Sequence, residues 1–257
     1  MATAQLRILT ANIDGIVGAC KAGFFRLPHV VESDILCLQE TKADDVESLG
    51  ESLGYHCVSA DRQRGSDGKA SHGGVAIFSK LPLADRDEGH EAHRQRGQFI
   101  ACSVGSIRIA SVYVTLDAHM AQFGPFTERF NKMTEHAGGA IICGDFNTFR
   151  NHTDSWRFQE AISRSELGTD ERARRWLEEL FGAGWVDAVR KHNPKRPFYT
   201  WWWSEGHFSQ NRGTRLDYIF VSPNLADAVD RESAAVLTAA RRGRHAQLVL
   251  SLKMHTS

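Results

Sequence analysis

The chain has no surplus of charge. Its 31 Lys and Arg balance 31 Asp and Glu, so the totals give no hint of a polyanionic partner, and any such hint has to come from local clusters. Cysteine is sparse: the five residues (Cys20, Cys37, Cys57, Cys102, Cys143) are odd in number, widely spread and form no CxxC pair. That argues against a disulfide framework or a zinc site and for a reducing compartment. Cys37, Cys102 and Cys143 sit inside apolar runs, where a thiol behaves as a small hydrophobe. No apolar run approaches the length of a membrane span, and the N-terminal stretch has no signal-peptide core, so a cytoplasmic protein with no membrane partner is expected. Linkers, repeats and low-complexity segments are also lacking, which leaves one domain over residues 1–257.

What is present is an ordinary globular composition, 42% apolar and 24% charged. Leu6–Asn12 alternates apolar and polar before Asp14-Gly15 and reads as a strand. Further strands are expected over Asp34–Glu40, Tyr55–Ala60, Gly74–Ser79, Phe99–Val104, Ile107–Val114, Gly139–Asp145, Arg215–Val221 and Gln247–Leu252. Helices are expected over Phe24–Val31, broken by Pro28, over Asp45–Leu53, over Phe123–Ala137, and from a Thr169 cap to Phe181 with Trp176, Leu177 and Leu180 inward. Asp61–Gly74, rich in charge and glycine, reads as a loop. Many short strands with a few helices outside them indicate an α+β domain of two packed sheets.

Several strands end in polar side chains suited to metal or phosphate. Asn12 ends the first and Glu40 the second. Gly144-Asp145-Phe146-Asn147 closes a β-branched run, Asp217 lies in a later strand, and His245 precedes the last. Alternate residues of an extended chain face the same way, so Asp145 and Asn147 can share one cavity. A carboxylate beside a carboxamide suits metal-assisted phosphoester hydrolysis; read alone, the same four residues also describe a strand followed by an Asp/Asn turn. A histidine paired with a buried aspartate fixes an imidazole beside developing negative charge.

Together these motifs resemble the exonuclease III-type abasic-site endonucleases of the endonuclease/exonuclease/phosphatase superfamily. The likeness is carried in order by Asn12-Ile13-Asp14-Gly15, Asp34 to Lys42 (ending Gln39-Glu40-Thr41-Lys42), Gly73-Gly74-Val75-Ala76, Tyr113, Gly144-Asp145-Phe146-Asn147, Tyr199-Thr200-Trp201-Trp202, Arg215-Leu216-Asp217-Tyr218 and His245-Ala246. It implies a four-layer α/β sandwich and a divalent cation, Mg2+ or Mn2+, held chiefly by Glu40 with Asn12 and Asp14 nearby. It also implies Asp145 as base or water-positioning group, Asn147 orienting it, His245 held by Asp217 on the scissile phosphate, and Tyr113 on the same phosphate. The expected activity is hydrolysis 5′ to abasic sites in double-stranded DNA, with trimming of 3′ ends, by a monomer. Trp201, Arg215, Arg241 and Arg244 are the expected nucleic-acid contacts.

The chain departs from the family pattern in three places. Arg244 stands where an aspartate usually precedes the histidine, so metal affinity falls, or the arginine turns away, or it takes over work on the phosphate. Val114-Thr115-Leu116 replaces a segment that usually carries a proline and a DNA-touching polar residue, and Thr214 occupies a position of the abasic-sugar pocket where some members are bulky and apolar. Two competing readings remain. One is an inert relative that binds nucleic acid or a protein, like the catabolite-repression-control proteins. The other is a phosphodiesterase of the same superfamily acting on RNA or a small molecule.

Overall fold

The structure, a computed structural model, describes residues 4–61, 73–115, 123–163, 170–194 and 197–254. Among them are twelve strands. They run β1 (Ala4–Asn12), β2 (Ile35–Gln39), β3 (His56–Ala60), β4 (Val75–Ser79), β5 (Leu83–Asp87), β6 (Phe99–Val104), β7 (Ile107–Tyr113), β8 (Ala140–Asp145), β9 (Val186–Asp187), β10 (Asp217–Val221), β11 (Ala235–Arg242) and β12 (His245–Met254). One six-stranded sheet has the order β11-β12-β1-β2-β4-β3 and the other β5-β6-β7-β8-β10-β9.

Each sheet contains one parallel pair, β1 with β2 and β7 with β8; the other neighbours are antiparallel. The inner faces of the two sheets meet through aliphatic side chains such as Ile8, Ile35, Ile77, Ile109, Ile141, Ile219 and Leu250. Helices cover both outer faces. Ile16–Lys21, Pro28–Glu32 and Val46–Ser52 lie on the first sheet; Phe123–Thr134 and Glu171–Gly182 lie on the second, through Phe126, Phe130, Trp176 and Leu180. The expected four-layer sandwich is what forms.

Pro28 does break the expected helix: a 3-10 turn over Phe24–Arg26 is followed by a helix that starts on the proline, where its missing N–H costs nothing. The later helix is capped one residue on from the expected position, by the Asp170 carboxylate accepting from the backbone N–H groups of Arg172 and Ala173. Thr169, Leu116 and most of the loop expected over Asp61–Gly74 lie outside the described residues. At Gly144 the parallel strands β7 and β8 come so close that a Cβ would collide with the carbonyl oxygen of Val112, so glycine is required just before Asp145.

Candidate active site

Strand direction assembles the site. The carboxyl ends of both parallel pairs point to one rim, and the antiparallel neighbours β10 and β12 start there. Asn12 therefore ends β1, Glu40 follows β2, Tyr113 ends β7 and Asp145 ends β8, while Asp217 opens β10 and His245 opens β12. Register makes the grouping close, because Tyr113 and Asp217 both pair with Asp145 across their ladders. Asp14, Glu40, Lys42 and Asn147 all sit at positive φ (48°, 52°, 50° and 48°), a conformation that is costly for long side chains and concentrates at functional sites.

The side chains interlock. Asn12 Nδ2 donates to Glu40 Oε1 at 2.7 Å and to Asp145 Oδ2 at 3.0 Å, bridging the two sheets. Asp145 Oδ1 accepts from the Asn147 backbone N–H at 2.9 Å, and Asn147 Nδ2 donates to the Val114 carbonyl at 2.7 Å. His245 Nδ1 lies 3.1 Å from Asp217 Oδ2, and its Nε2 lies 3.8 Å from Asp145 Oδ2. Tyr113 is within hydrogen-bonding reach of both Glu40 and Asn147. Thr200 Oγ1 accepts from the backbone N–H groups of Leu216 (2.9 Å) and Asp217 (3.0 Å), fixing the start of β10.

Burial dominates the electrostatics. It raises the Asp145 carboxyl, and Asp217 adds to the rise against His245 and the donors from Asn147 and Asn12, leaving the group at about 7. Burial alone would lower the His245 imidazole, but Asp217 and Asp145 outweigh it and push His245 up to about 9. Glu40 is raised by burial, yet Asn12 and Lys42 carry it below the usual carboxylate range. Desolvation, with Glu40 and Asp145 nearby, raises Tyr113, so its hydroxyl stays protonated and able to donate.

Glu40, Asp145 and His245 each offer a ligand atom within 4.8 Å of the others. The donor set of Glu40, Asp145 and the neighbouring Asn12 and Asp14 is rich in hard oxygen and fits Mg2+ or Mn2+ better than a soft metal. Lys42 Nζ is 2.7 Å from Glu40 Oε2 and 2.5 Å from Asp14, so a single positive charge already sits between the two carboxylates. Lys42 was legible only as part of the resemblance. Its signal is its spacing, two residues beyond Glu40.

Around this floor a pocket of about 240 Å³ is lined by Asn12, Asp14, Glu40, Lys42, Trp201, Arg244 and His245. Of the four expected nucleic-acid contacts, Trp201 and Arg244 reach it and two do not. Arg215 is 1% exposed; its Nε lies 2.9 Å from Asp154 and one terminal nitrogen pairs with Asp187, so it is a structural cation in the core. The expectation of a DNA contact there is corrected, since a guanidinium buried in the core and paired with two buried carboxylates is out of reach of a phosphate in the groove. Arg241 pairs with Glu205 and stacks 4.1 Å from the Phe208 ring, so its side chain is directed to the Glu205–Ser209 helix instead. Of the tryptophan row, Trp202 is the core member, 2% exposed.

The model of the endonuclease/exonuclease/phosphatase family matches residues 9–233, from the first strand into the segment before β11. The chain belongs to this family. Among relatives of this family member, a DNA-(apurinic or apyrimidinic site) endonuclease of Dictyostelium discoideum is 26% identical over 88% of this chain and 64% of its own length. An exodeoxyribonuclease of Bacillus subtilis is 26% identical over 89% of this chain and 92% of its own. A solved structure of a 3′-5′ exonuclease from Neisseria meningitidis superposes with a TM-score of 0.82 at 26% identity, covering 96% of this chain and all of the other.

Proposed function

We propose that the protein is a divalent-metal-dependent DNA-repair phosphodiesterase, a monomer of one domain, that hydrolyses the bond 5′ to abasic sites and trims 3′ ends of double-stranded DNA. The observation that carries this reading is the convergence of Asn12, Glu40, Tyr113, Asp145, Asn147, Asp217 and His245 from the facing strand ends of two sheets. The similarity to an abasic-site endonuclease and to two exonucleases supports both activities. Loss of function in an inert relative has no support here, because each of these side chains is present and oriented by a hydrogen bond. All five cysteines are free, in keeping with a cytoplasmic setting. Among the described residues no helix is long and apolar enough to cross a membrane.

Glu40, with Asn12 and Asp14, would hold Mg2+ or Mn2+, which when bound supplies positive charge against the phosphate and its departing oxygen. Asp145 is poised near neutrality and acts as the base. Water attacks phosphorus in line with the leaving oxygen, the water proton passes to Asp145, and the P–O bond opposite breaks. Asn147 fixes the Asp145 carboxylate through its backbone N–H. His245, held by Asp217 and proton-bound at neutral pH, donates to a phosphate oxygen as negative charge builds, and Tyr113 donates to the same group.

The test is a duplex with one abasic-site analogue beside a duplex with a recessed 3′ end, each with Mg2+, with Mn2+ and with a chelator. Incision 5′ to the analogue and 3′ shortening, both abolished by the chelator, are expected. Tight binding with no cleavage in either metal would sink the enzyme reading.

A further inference from the structure

Trp203 is the most exposed large apolar side chain among the described residues, at 60%. It sits on the rim of the pocket. The Arg244 guanidinium lies 5.2 Å from its ring centroid, and the Trp201 ring meets it edge-on at 5.7 Å and 76°. Trp201 and Arg244 both line the pocket, so the exposed indole is continuous with the phosphate site.

The backbone holds this rim in register with the catalytic histidine. Trp201 bridges to both Thr214 and His245, the Trp202 N–H donates to the Arg244 carbonyl at 3.0 Å, and the Ala246 N–H donates to the Thr200 carbonyl at 2.7 Å. Arg244 itself is the second residue of the two-residue hairpin loop between β11 and β12, whose first residue, Gly243, takes the positive φ (52°) such a turn needs. An exposed indole with a cation over its ring, fixed beside a phosphate site, matches one kind of occupant. A nucleobase has a π-face for the indole, and its phosphate supplies the anion for the guanidinium.

We propose that Trp203 and Arg244 form a stacking platform for an unpaired nucleobase next to the scissile phosphate, so that in the trimming of 3′ ends the site favours a base-bearing, unstacked nucleotide there. The selection deepens the nuclease reading above and rests on it for the position of the phosphate. A base still paired in a duplex has both faces stacked and cannot use the platform, whereas a frayed or single-stranded terminus can. Trp203 is a specificity-determining residue in this account, and Arg244 secures both the ring and the phosphate.

The experiment measures fluorescence anisotropy of the full-length protein in chelator, so that no cleavage enters. One probe is a labelled tetranucleotide of thymidine; the other has the same backbone with tetrahydrofuran in place of every base. Wild type is expected to bind the base-bearing probe roughly tenfold more tightly than the base-free one, the scale of one aromatic–base stack. Trp203→Ala should bring that ratio close to one, and Trp203→Phe should keep most of it. A wild-type ratio of one, or a full ratio in Trp203→Ala, overturns the proposal. Equal weakening of both probes by Trp203→Ala also overturns it, because it marks the indole as a backbone or structural contact. A protein that shows the ratio but cleaves no DNA would contradict the nuclease reading and leave the platform standing.

Discussion

Asn12, Glu40, Asp145, Asp217 and His245 on the floor of the pocket stand at strand ends and are tied down by hydrogen bonds, whereas the rim at Trp203 and Arg244 is fixed through its backbone and leaves its side chains exposed. The two constructions suit different tasks. Bond making and breaking need donors and acceptors held within a fraction of an ångström, which buried ladders and bridges such as Asn12 between Glu40 and Asp145 provide. Recognition of varied nucleotides needs broad contact that tolerates small shifts, which an exposed indole and a guanidinium provide. Damage to the floor should therefore appear in the rate of chemistry, and damage to the rim in the choice of substrate.

The largest effect is expected from Asp145→Asn. It keeps the shape of the side chain and removes the base, so single-turnover cleavage should fall by about 10²–10⁴-fold. Next comes the network beneath the floor, in which Asp154 faces Arg215 at 2.9 Å and Arg190 at 2.7 Å. Asp154→Asn leaves the buried Arg215 and the partly buried Arg190 short of charge, and chemical denaturation should show a loss of about 3 kcal/mol. Burial raises Asp154, but Arg215 and Arg190 take it below the usual carboxylate range. A depressed folded value gives stabilisation that is present above the unfolded value near ~4 and is lost as pH falls further. The gap between wild type and variant should thus close in acid and stay open at neutral pH.

Glu40→Gln should raise the metal concentration for half-maximal cleavage by at least the roughly tenfold that even an outer-sphere partner is worth, read from a Mg2+ titration. A smaller shift is expected from Asp217→Asn. Burial lowers His245 and Asp217 is the foremost group that raises it, so without that carboxylate the imidazole loses its proton at lower pH. The alkaline limb of the pH–rate profile should move down from the region near 9. An unmoved limb would show that His245 is not the group that titrates there.

Much of the floor was legible in the sequence because each residue stands at one end of a short apolar run, Asn12, Glu40 and Asp145 at its close and Asp217 and His245 at its start, and because strand period 2 puts Asp145 and Asn147 on one side. The directions of the long side chains were not. Arg215 sits inside a motif of the family pattern, yet the carboxylates that capture it, Asp154 and Asp187, lie 61 and 28 residues away in the chain. Arg241 lies in the hairpin arm that leads to His245, yet turns to Glu205, 36 residues earlier. Of the edge strands, β3 was expected, whereas β5, β9 and β11 were missed. β5, Leu83–Asp87, is mostly exposed and shows no apolar alternation, and β9 is two residues long. Which of the adjacent tryptophans is buried emerges only from the fold: Trp202 is in the core and Trp203 faces outward.

The most direct test of the floor as the seat of chemistry pairs two readings on wild type and Asp145→Asn: single-turnover cleavage of an abasic-site duplex in Mg2+, and affinity for the same duplex in chelator. The account predicts a rate about 10²–10⁴-fold lower in the variant, with binding retained. Cleavage by Asp145→Asn at the wild-type rate would contradict it.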